Sequence, residues 1–433
     1  MTRRRRPAPL PDIPGLPTRQ AALRLLDAVL RRGEALETAL HAATQGLKRG
    51  SDRALAHAIV ADALRWLPDL DALIDSVTEQ PVPPDAKSRM VLRIALVQLL
   101  LLETPPHAAI STALPLVDGG PRRLVHGVLG SLLRAEATLP DVPTLPADVA
   151  ERWAGQWPQD VNEAAARALA SRAPIDLSLA DPTKTAHYAD LLGGVSLMPG
   201  HVRLAHDVSV PDLPGYTEGN WWVQDIAASI PARLAGAGAG RTALDLCAAP
   251  GGKTMQLAAS GWHVTALDKS AKRLERLTEN LERSGLGDKV DTAQGDALLW
   301  EPATPADLVL LDAPCSATGI FRRHPDVLHR AGPRQIADMA EVQAALLERA
   351  AGWLKPGGIL IYATCALEQA EGEEQIAAFL ARHPHFGIVP AQTEELPAGI
   401  VPTPHGTART LPGMLEEAGG ADGFFIARLS FSS

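Results

Sequence analysis

Hydrophobic positions divide the chain into a helical first part and a later part in which strands and helices alternate. Between residues 18 and 138, apolar side chains recur every three or four positions, as Ala22, Leu25 and Val29 do, which is the period of an amphipathic helix. Prolines and paired glycines separate these segments, and no strand-like alternation lies between them. This part is therefore predicted to be an all-α domain with short connections.

From about residue 236 the pattern changes to short apolar runs that alternate with amphipathic stretches. The predicted strands are residues 242–246, 263–267, 289–292, 308–311 and 358–363, and the predicted helices are residues 254–260, 271–283, 335–354 and 371–382. Strands this apolar belong to a parallel sheet that helices cover on both faces. The sequence thus predicts an α/β, Rossmann-like domain over residues 236–433, with ligands at the carboxyl ends of the strands.

Less regular segments flank these two domains. Residues 1–17 are rich in proline and arginine and are predicted to be disordered. Residues 139–235 begin with a proline-rich linker and continue as a mixed region before the catalytic domain. Within it, the adjacent Trp221 and Trp222 could stack on nucleic-acid bases, although packing at a domain junction is the more common role of such a pair.

Composition narrows the class of protein. The three cysteines are far apart, with no CxxC pair, which argues against a disulfide framework or a zinc site and suits a reducing cytoplasm. The longest apolar run, residues 94–102, is too short to span a bilayer, and no apolar stretch follows the arginines near the start. The net charge of −9 does not suggest nucleic acid, but local basic pairs such as Arg322 and Arg323 could still bind phosphate or simply be solvated.

A loop of small residues follows the first predicted strand of the second part. Residues 245–254 contain two glycines and precede a helix N-terminus, which attracts negative charge. Asp268 ends the next strand, where a carboxylate typically binds ribose hydroxyls. The loop is neither a GxGxxG fingerprint nor a Walker loop, so a ligand with ribose but no pyrophosphate is expected. S-adenosylmethionine fits, and a nicotinamide nucleotide is the alternative.

Two thiols follow apolar strands in the same domain. Asp312 and Cys315 come after residues 308–311, and Cys365 comes after residues 359–364. Adjacent central strands of one sheet end close together, so Cys315 and Cys365 are predicted to face one pocket. A small buried hydrophobe is the alternative for each cysteine, and it suits Cys247 better than the other two. A cysteine nucleophile with an acid beside it is therefore expected, and the residues alone leave open which thiol attacks.

Several literal motifs resemble one family of enzymes. They are residues 244–254, 311–319, 321–326 (FRRHPD), 362–365 and 422–425 (DGFF). Together they resemble RNA cytosine-C5 methyltransferases of the RsmB type, also called Sun or Fmu, which act on small-subunit ribosomal RNA. The resemblance runs from about Arg19 to Leu429, and its front part is similar to the NusB-like RNA-binding domain of that family. The chain departs from the pattern at Ala366 and Gly372, where Ser and Asn are usual.

The resemblance implies a cytoplasmic, monomeric enzyme that methylates C5 of a cytosine in RNA, with 16S ribosomal RNA as the partner and no metal. Cys365 would attack C6, Cys315 would assist product release, and Asp312 would hold the cytosine edge. The residues implied for S-adenosylmethionine are Cys247, Ala248, Ala249, Pro250, Gly251, Gly252, Lys253, Asp268, Asp296 and Asp312. The alternatives are the same chemistry on transfer RNA, a DNA enzyme whose Pro-Cys thiol attacks, or a non-catalytic RNA-binding protein with a methyltransferase fold.

Overall fold

The structure is a computed structural model that describes residues 13–206 and 208–432. The predicted disorder near the start falls mostly on residues 1–12, which lie outside this range. The chain divides into two compact units: the first runs to Ala150 and includes His324–Arg330, and the second comprises Glu151–Arg323 and the chain from Ala331 onward. The finer division of residues 139–235 from the catalytic domain stays a prediction.

The first unit has helices as its regular secondary structure over residues 13–146, and no strand lies among them, as the apolar period predicts. Its helices are α1 (Leu16–Arg32), α2 (Leu36–Ala43), α3 (Gly50–Arg65), α4 (Leu67–Ser76), α5 (Lys87–Leu100), α6 (Pro106–Ala113) and α7 (Gly119–Arg134). Helix α5 is buried along most of its length and packs against α1, α3, α4, α6 and α7. A helix that is apolar on nearly all sides belongs at the centre of a bundle. Helix α2, which is only eight residues long, was not predicted from the sequence.

The second unit begins with the elements of the mixed region. They are α8 (Ala147–Ala154), which spans the boundary, α9 (Gln159–Ala170), β1 (Ile175–Leu179), α10 (Thr185–Leu192), β2 (His201–Leu204), β3 (Trp221–Val223) and α11 (Ile226–Leu234). The three strands pair antiparallel in the order β2-β1-β3. Trp221 and Trp222 are both buried, at 0% and 2% exposure, so they pack in the core and cannot stack on bases.

The remaining elements build the α/β domain. They are β4 (Thr242–Leu246), α12 (Gly252–Ala259), β5 (His263–Asp268), α13 (Ala271–Ser284), β6 (Val290–Gln294), β7 (Ala306–Asp312), α14 (Val327–Arg330), α15 (Pro333–Gly352), β8 (Leu354–Thr364), α16 (Glu373–Arg382), β9 (Phe386–Ile388), β10 (Ala408–Thr410) and β11 (Phe424–Phe431). Helix α14 belongs to the segment that is part of the first unit. No helix in the described ranges is both long enough and apolar enough to cross a membrane.

One mixed sheet organises this domain, in the order β10-β11-β8-β7-β4-β5-β6, with β9 also paired to β11. The strands from β8 to β6 are parallel, as predicted, but β11 runs antiparallel to β8. The prediction of a purely parallel sheet was therefore incomplete, because residues 422–425 were taken as a motif and not as the start of a strand.

Helices cover both faces of the sheet. In β7, Leu308 and Leu310 pack toward the side of α11, α12 and α13, while Val309 and Leu311 pack toward α15 and α16. This alternation follows from the two-residue period of a strand. The carboxyl ends of β4, β5, β7 and β8 consequently meet at one edge of the sheet, where ligands of doubly wound domains bind.

Candidate active site

Two thiols meet where β7 and β8 end. These strands are parallel neighbours, with Asp312 beside Ala363, so the segments that follow them leave the sheet at the same level. The Sγ atoms of Cys315 and Cys365 lie 3.4 Å apart. The predicted meeting of the two thiols is therefore confirmed, while their chemical roles stay predictions.

Backbone hydrogen bonds join the two cysteine-bearing turns to the start of β11. The Gly319 N–H donates to the Cys365 carbonyl at 2.9 Å, and the Gly423 N–H donates to the Gly319 carbonyl at 2.8 Å. A Cβ on Gly319 would lie 2.1 Å from the Gly423 oxygen, so no side chain fits there. The glycines of two separate motifs thus allow the close approach that builds this site.

The environment of the thiol pair keeps the proton on Cys315. Its hydrogen bond with Cys365 raises the pKa of the Cys315 thiol well above its ordinary range, and burial and the Glu371 carboxylate act in the same direction. A thiol that stays protonated is a poor nucleophile but can donate a hydrogen bond to a neighbouring sulfur. Either sulfur can donate in this contact, and the raised pKa of Cys315 favours Cys315 as the donor.

A buried ion pair lies beside the thiols. Lys253 Nζ donates to Asp312 Oδ2 at 2.8 Å, and the lysine side chain is only 11% exposed. Burial lowers the pKa of the Lys253 ammonium, but Asp312 and, to a smaller extent, the Cys365 sulfur outweigh it, so the pKa lies above its ordinary value. The ammonium remains charged at neutral pH and offers a fixed positive charge near Cys365.

The loop after β4 and the end of β5 are joined by one acid. Asp268 is buried, and its Oδ2 accepts a hydrogen bond from the Ala249 N–H at 3.1 Å. Arg273 pairs with the same oxygen at 3.3 Å and also donates to the Ala249 carbonyl. Gly251, at φ 105°, makes the tight turn into α12. The acid at the second strand end thus fixes the shape of the glycine-containing loop.

A cavity of about 360 Å³ opens next to this loop. Its lining includes Ala248, Ala249, Pro250, Gly252, Lys253 and Asp312 from the predicted cofactor residues, together with Trp222, Gln224 and Asp225. Cys247, Gly251, Asp268 and Asp296 are not part of this lining. The size and the few convergent polar groups are typical of a small-molecule site.

The remaining two predicted cofactor residues make local contacts. Asp296 pairs with Lys269 at 2.9 Å and accepts from the Leu298 N–H at 3.0 Å. Cys247 has a left-handed backbone, with φ 63°, and burial together with the carboxylates of Asp312 and Asp268 raises the pKa of its thiol to about 12. Cys247 is therefore an unreactive thiol at neutral pH.

Two literal motifs are joined by buried ion pairs. Arg322 bonds to Asp422 at 3.1 Å and to Asp225 at 3.2 Å, and Arg323 bonds to the same two acids at 2.8 and 2.7 Å. Arg322 is buried, at 4% exposure. These arginines connect FRRHPD to DGFF inside the protein, so the pair is structural and is not a solvated or phosphate-binding face.

Sequence reasoning missed two residues that support the thiols. Glu371 is buried and accepts hydrogen bonds from the turn that carries Cys315. Arg409 donates to the Ala366 carbonyl at 2.7 Å and pairs with Glu373 at 2.6 Å, so it anchors the loop behind Cys365. A Cβ at Gly372 would lie 2.9 Å from an Arg409 nitrogen. Ala366 and Gly372, the two positions that differ from the family pattern, therefore lie where Arg409 anchors the loop. No local sequence pattern around Arg409 indicates this role.

The fold and the site together define a methyltransferase that uses S-adenosylmethionine: a doubly wound sheet, a glycine-containing loop after its first strand, and an acid at the end of the second. The cavity beside Lys253 and Asp312 has room for this cofactor, and its lining fits a ligand with charged and apolar parts. Within the described ranges, no group of three or more His, Cys, Asp or Glu side chains is placed to hold a metal ion.

Comparisons with known proteins identify the family. Residues 236–430 match the family of the 16S rRNA methyltransferase RsmB/F, and residues 16–134 match the NusB family. Ribosomal RNA small subunit methyltransferase B of Klebsiella pneumoniae is 34% identical over 439 residues, covering 95% of this chain and 97% of that protein. The protein of the same name from Xylella fastidiosa is 36% identical over 435 residues, covering 96% and 98%. The chain belongs to the RsmB/F methyltransferase family and carries a NusB-family domain at its front.

Solved structures agree on the fold. NSun6 from Pyrococcus horikoshii with SFG, an analogue of S-adenosylmethionine, has a TM-score of 0.57 at 18% identity, covering 66% of this chain and 98% of that chain. A methyltransferase homolog protein from the same organism has a TM-score of 0.55 at 24% identity, covering 70% and 98%. The predicted fold class is thus confirmed, and membership of the methyltransferase family confirms the predicted cofactor.

Proposed function

We propose that this enzyme methylates C5 of a cytosine in small-subunit ribosomal RNA, with Cys365 as the nucleophile and Cys315 assisting product release. The observation that carries the proposal is the 3.4 Å contact between the two Sγ atoms beside the buried Lys253–Asp312 pair. The substrate follows from the family and from the names of the relatives, which are ribosomal RNA small subunit methyltransferases.

The chemistry explains why two thiols are useful. Cytosine C5 is a poor nucleophile, so a thiolate must first add to C6 and push electron density onto C5. S-adenosylmethionine supplies the methyl group that C5 then takes. The C5 proton leaves afterwards, the bond between C6 and sulfur breaks, and Cys365 returns as a thiolate. A protonated thiol 3.4 Å away can stabilise that departing sulfur.

The surroundings of the pair favour Cys365 as the attacking sulfur. Cys315 keeps its proton, because its pKa lies well above the ordinary range. The Lys253 ammonium, which Asp312 holds at 2.8 Å, places positive charge near Cys365. Asp312 borders the cofactor cavity, and its side chain is 32% exposed, so it can reach a cytosine edge. The target base has to leave its stack to reach this pocket.

The test measures transfer of a labelled methyl group to RNA. Cys365→Ala should abolish transfer, whereas Cys315→Ala should accumulate a covalent RNA–protein adduct that survives denaturing gels. An adduct with Cys365→Ala would reverse the two roles. The same assay on small-subunit ribosomal RNA, transfer RNA and DNA decides the substrate, and bisulfite sequencing of RNA from cells with and without the protein locates the cytosine.

A further inference from the structure

A buried carboxylate accepts hydrogen bonds from the turn that carries Cys315. Glu371 follows β8, and its side chain is fully buried. Its Oε1 accepts a hydrogen bond from the Ser316 N–H at 2.8 Å, and its Oε2 accepts one from the Ser316 hydroxyl. A buried carboxylate is costly unless its oxygens are hydrogen-bonded, and here both are.

Gln343, in the middle of α15, is hydrogen-bonded to both Glu371 and the Cys315 turn. Its Nε2 donates to Glu371 Oε1 at 3.0 Å and to the Pro314 carbonyl at 2.9 Å. The two residues that flank Cys315 are therefore both held: Pro314 through its carbonyl and Ser316 through its N–H. Cys315 lies between two fixed peptide groups.

The backbone of Glu371 is tied to the strand that delivers the other thiol. Its carbonyl accepts hydrogen bonds from Tyr362 Oη at 2.8 Å and from Thr364 Oγ1 at 3.1 Å. Thr364 immediately precedes Cys365. One residue thus joins the Cys315 turn, through its side chain, to the strand end before Cys365, through its main chain.

The backbone conformation of the Cys315 turn is one that hydrogen bonds from neighbouring residues have to stabilise. Ala317 has a left-handed backbone, with φ 59°, which is unfavourable for a residue other than glycine. Conformations of this kind persist where surrounding contacts enforce them. The hydrogen bonds of Glu371 and Gln343 are contacts of that kind, and they lie on Ser316, which precedes Ala317, and on Pro314.

We propose that Glu371 is a positioning residue that sets the place of the Cys315 sulfur relative to Cys365, and that it acts on the release step and not on methyl transfer. The inference rests on the proposed roles of the two thiols. It follows from the bonds of Glu371 to the Cys315 turn and to the strand before Cys365, since the carboxylate itself touches neither sulfur.

The test compares Glu371→Gln with Glu374→Gln, an exposed glutamate of α16, in the full-length enzyme. The amide keeps the shape of the carboxylate but cannot accept from both Ser316 groups and from Gln343 with the same strength. With enzyme in excess, methyl transfer in a single turnover should stay within about threefold of the wild type. Under turnover, kcat should fall roughly tenfold or more, since small misplacements of a catalytic group cost this much. The adduct should accumulate as in Cys315→Ala, and Glu374→Gln should match the wild type.

Equal losses of single-turnover transfer and of kcat, with no adduct, would overturn the inference. If Glu371→Gln does not fold, Ser316→Ala decides, because it removes one hydrogen bond to Glu371 and leaves the N–H contact. That variant should show a smaller increase in adduct, and none would contradict the inference. Absence of adduct in Cys315→Ala itself would instead refute the proposed function, so the two failures are distinguishable.

Discussion

Asp245 provides a quantitative test of the electrostatics under the cofactor loop. Its carboxylate is fully buried at the end of β4, where Oδ2 accepts from Thr254 Oγ1 at 2.5 Å and Oδ1 has no hydrogen-bond partner in the described part of the chain. Burial raises the pKa of this carboxyl from 3.8 to about 7, although the bond from Thr254 opposes the shift. The folded protein therefore keeps a proton that the unfolded chain loses.

This difference makes stability depend on pH with a defined sign. Below about pH 4 both states are protonated and Asp245 has no effect, while between about pH 4 and pH 7 the unfolded chain ionises first and the folded state loses stability. The whole effect is about 4 kcal/mol, at 1.36 kcal/mol for each pKa unit. More than half of it develops between pH 5 and pH 8.

Asp245→Asn removes this term, because the amide does not ionise. Urea unfolding of both proteins, followed by tryptophan fluorescence at pH 5 and pH 8, should show the variant gaining roughly 2–3 kcal/mol relative to the wild type between the two pH values. Asp291→Asn, at an exposed position of β6, controls for the loss of one negative charge. A difference that stays constant to within about 0.5 kcal/mol would refute the reasoning.

Three further predictions concern the surroundings of the site. Asp312→Asn should lower the free energy of unfolding, measured in urea, by about 2 kcal/mol, because it leaves the buried Lys253 charge unpaired. The double variant with Lys253→Met should recover part of the lost stability. Arg409→Lys should reduce steady-state methyl transfer roughly tenfold, because it loses the bond to the Ala366 carbonyl, and unchanged activity would contradict this. Iodoacetamide at pH 8 should leave Cys247 unlabelled in peptide maps, since its pKa is about 12.

The sequence predicted those parts of the molecule that depend on local pattern. Apolar runs located β4, β5, β7 and β8, because a strand buried on both faces is largely hydrophobic. The predicted strands gave the ends of β7 and β8, and from these ends the meeting of Cys315 and Cys365 could be predicted. The antiparallel β11 was missed, because the direction of a strand depends on its pairing and not on its residues.

The support of the site was not predictable in the same way. Glu371 and Gln343 are ordinary polar residues of a turn and a helix, and only tertiary structure brings them to the Cys315 turn. Arg409 is 43 positions from the carbonyl that it holds. Hydrogen bonds between distant segments produce no periodic pattern in the sequence. Sequence patterns therefore identify reactive residues more easily than the residues that position them.

The antiparallel pairing of β11 with β8 has a consequence for synthesis. The Cys365 strand and Gly319 emerge early, but Gly423 and the strand that follows it are translated later, after roughly 3–12 s at 5–20 residues per second. Until then the growing chain has an unpaired edge at β8, with the apolar Leu360 and Ile361. Unpaired edges of this kind invite association with other chains. Until β11 pairs with β8, the nascent enzyme is therefore exposed to aggregation through this edge, and chaperones would protect it during that interval.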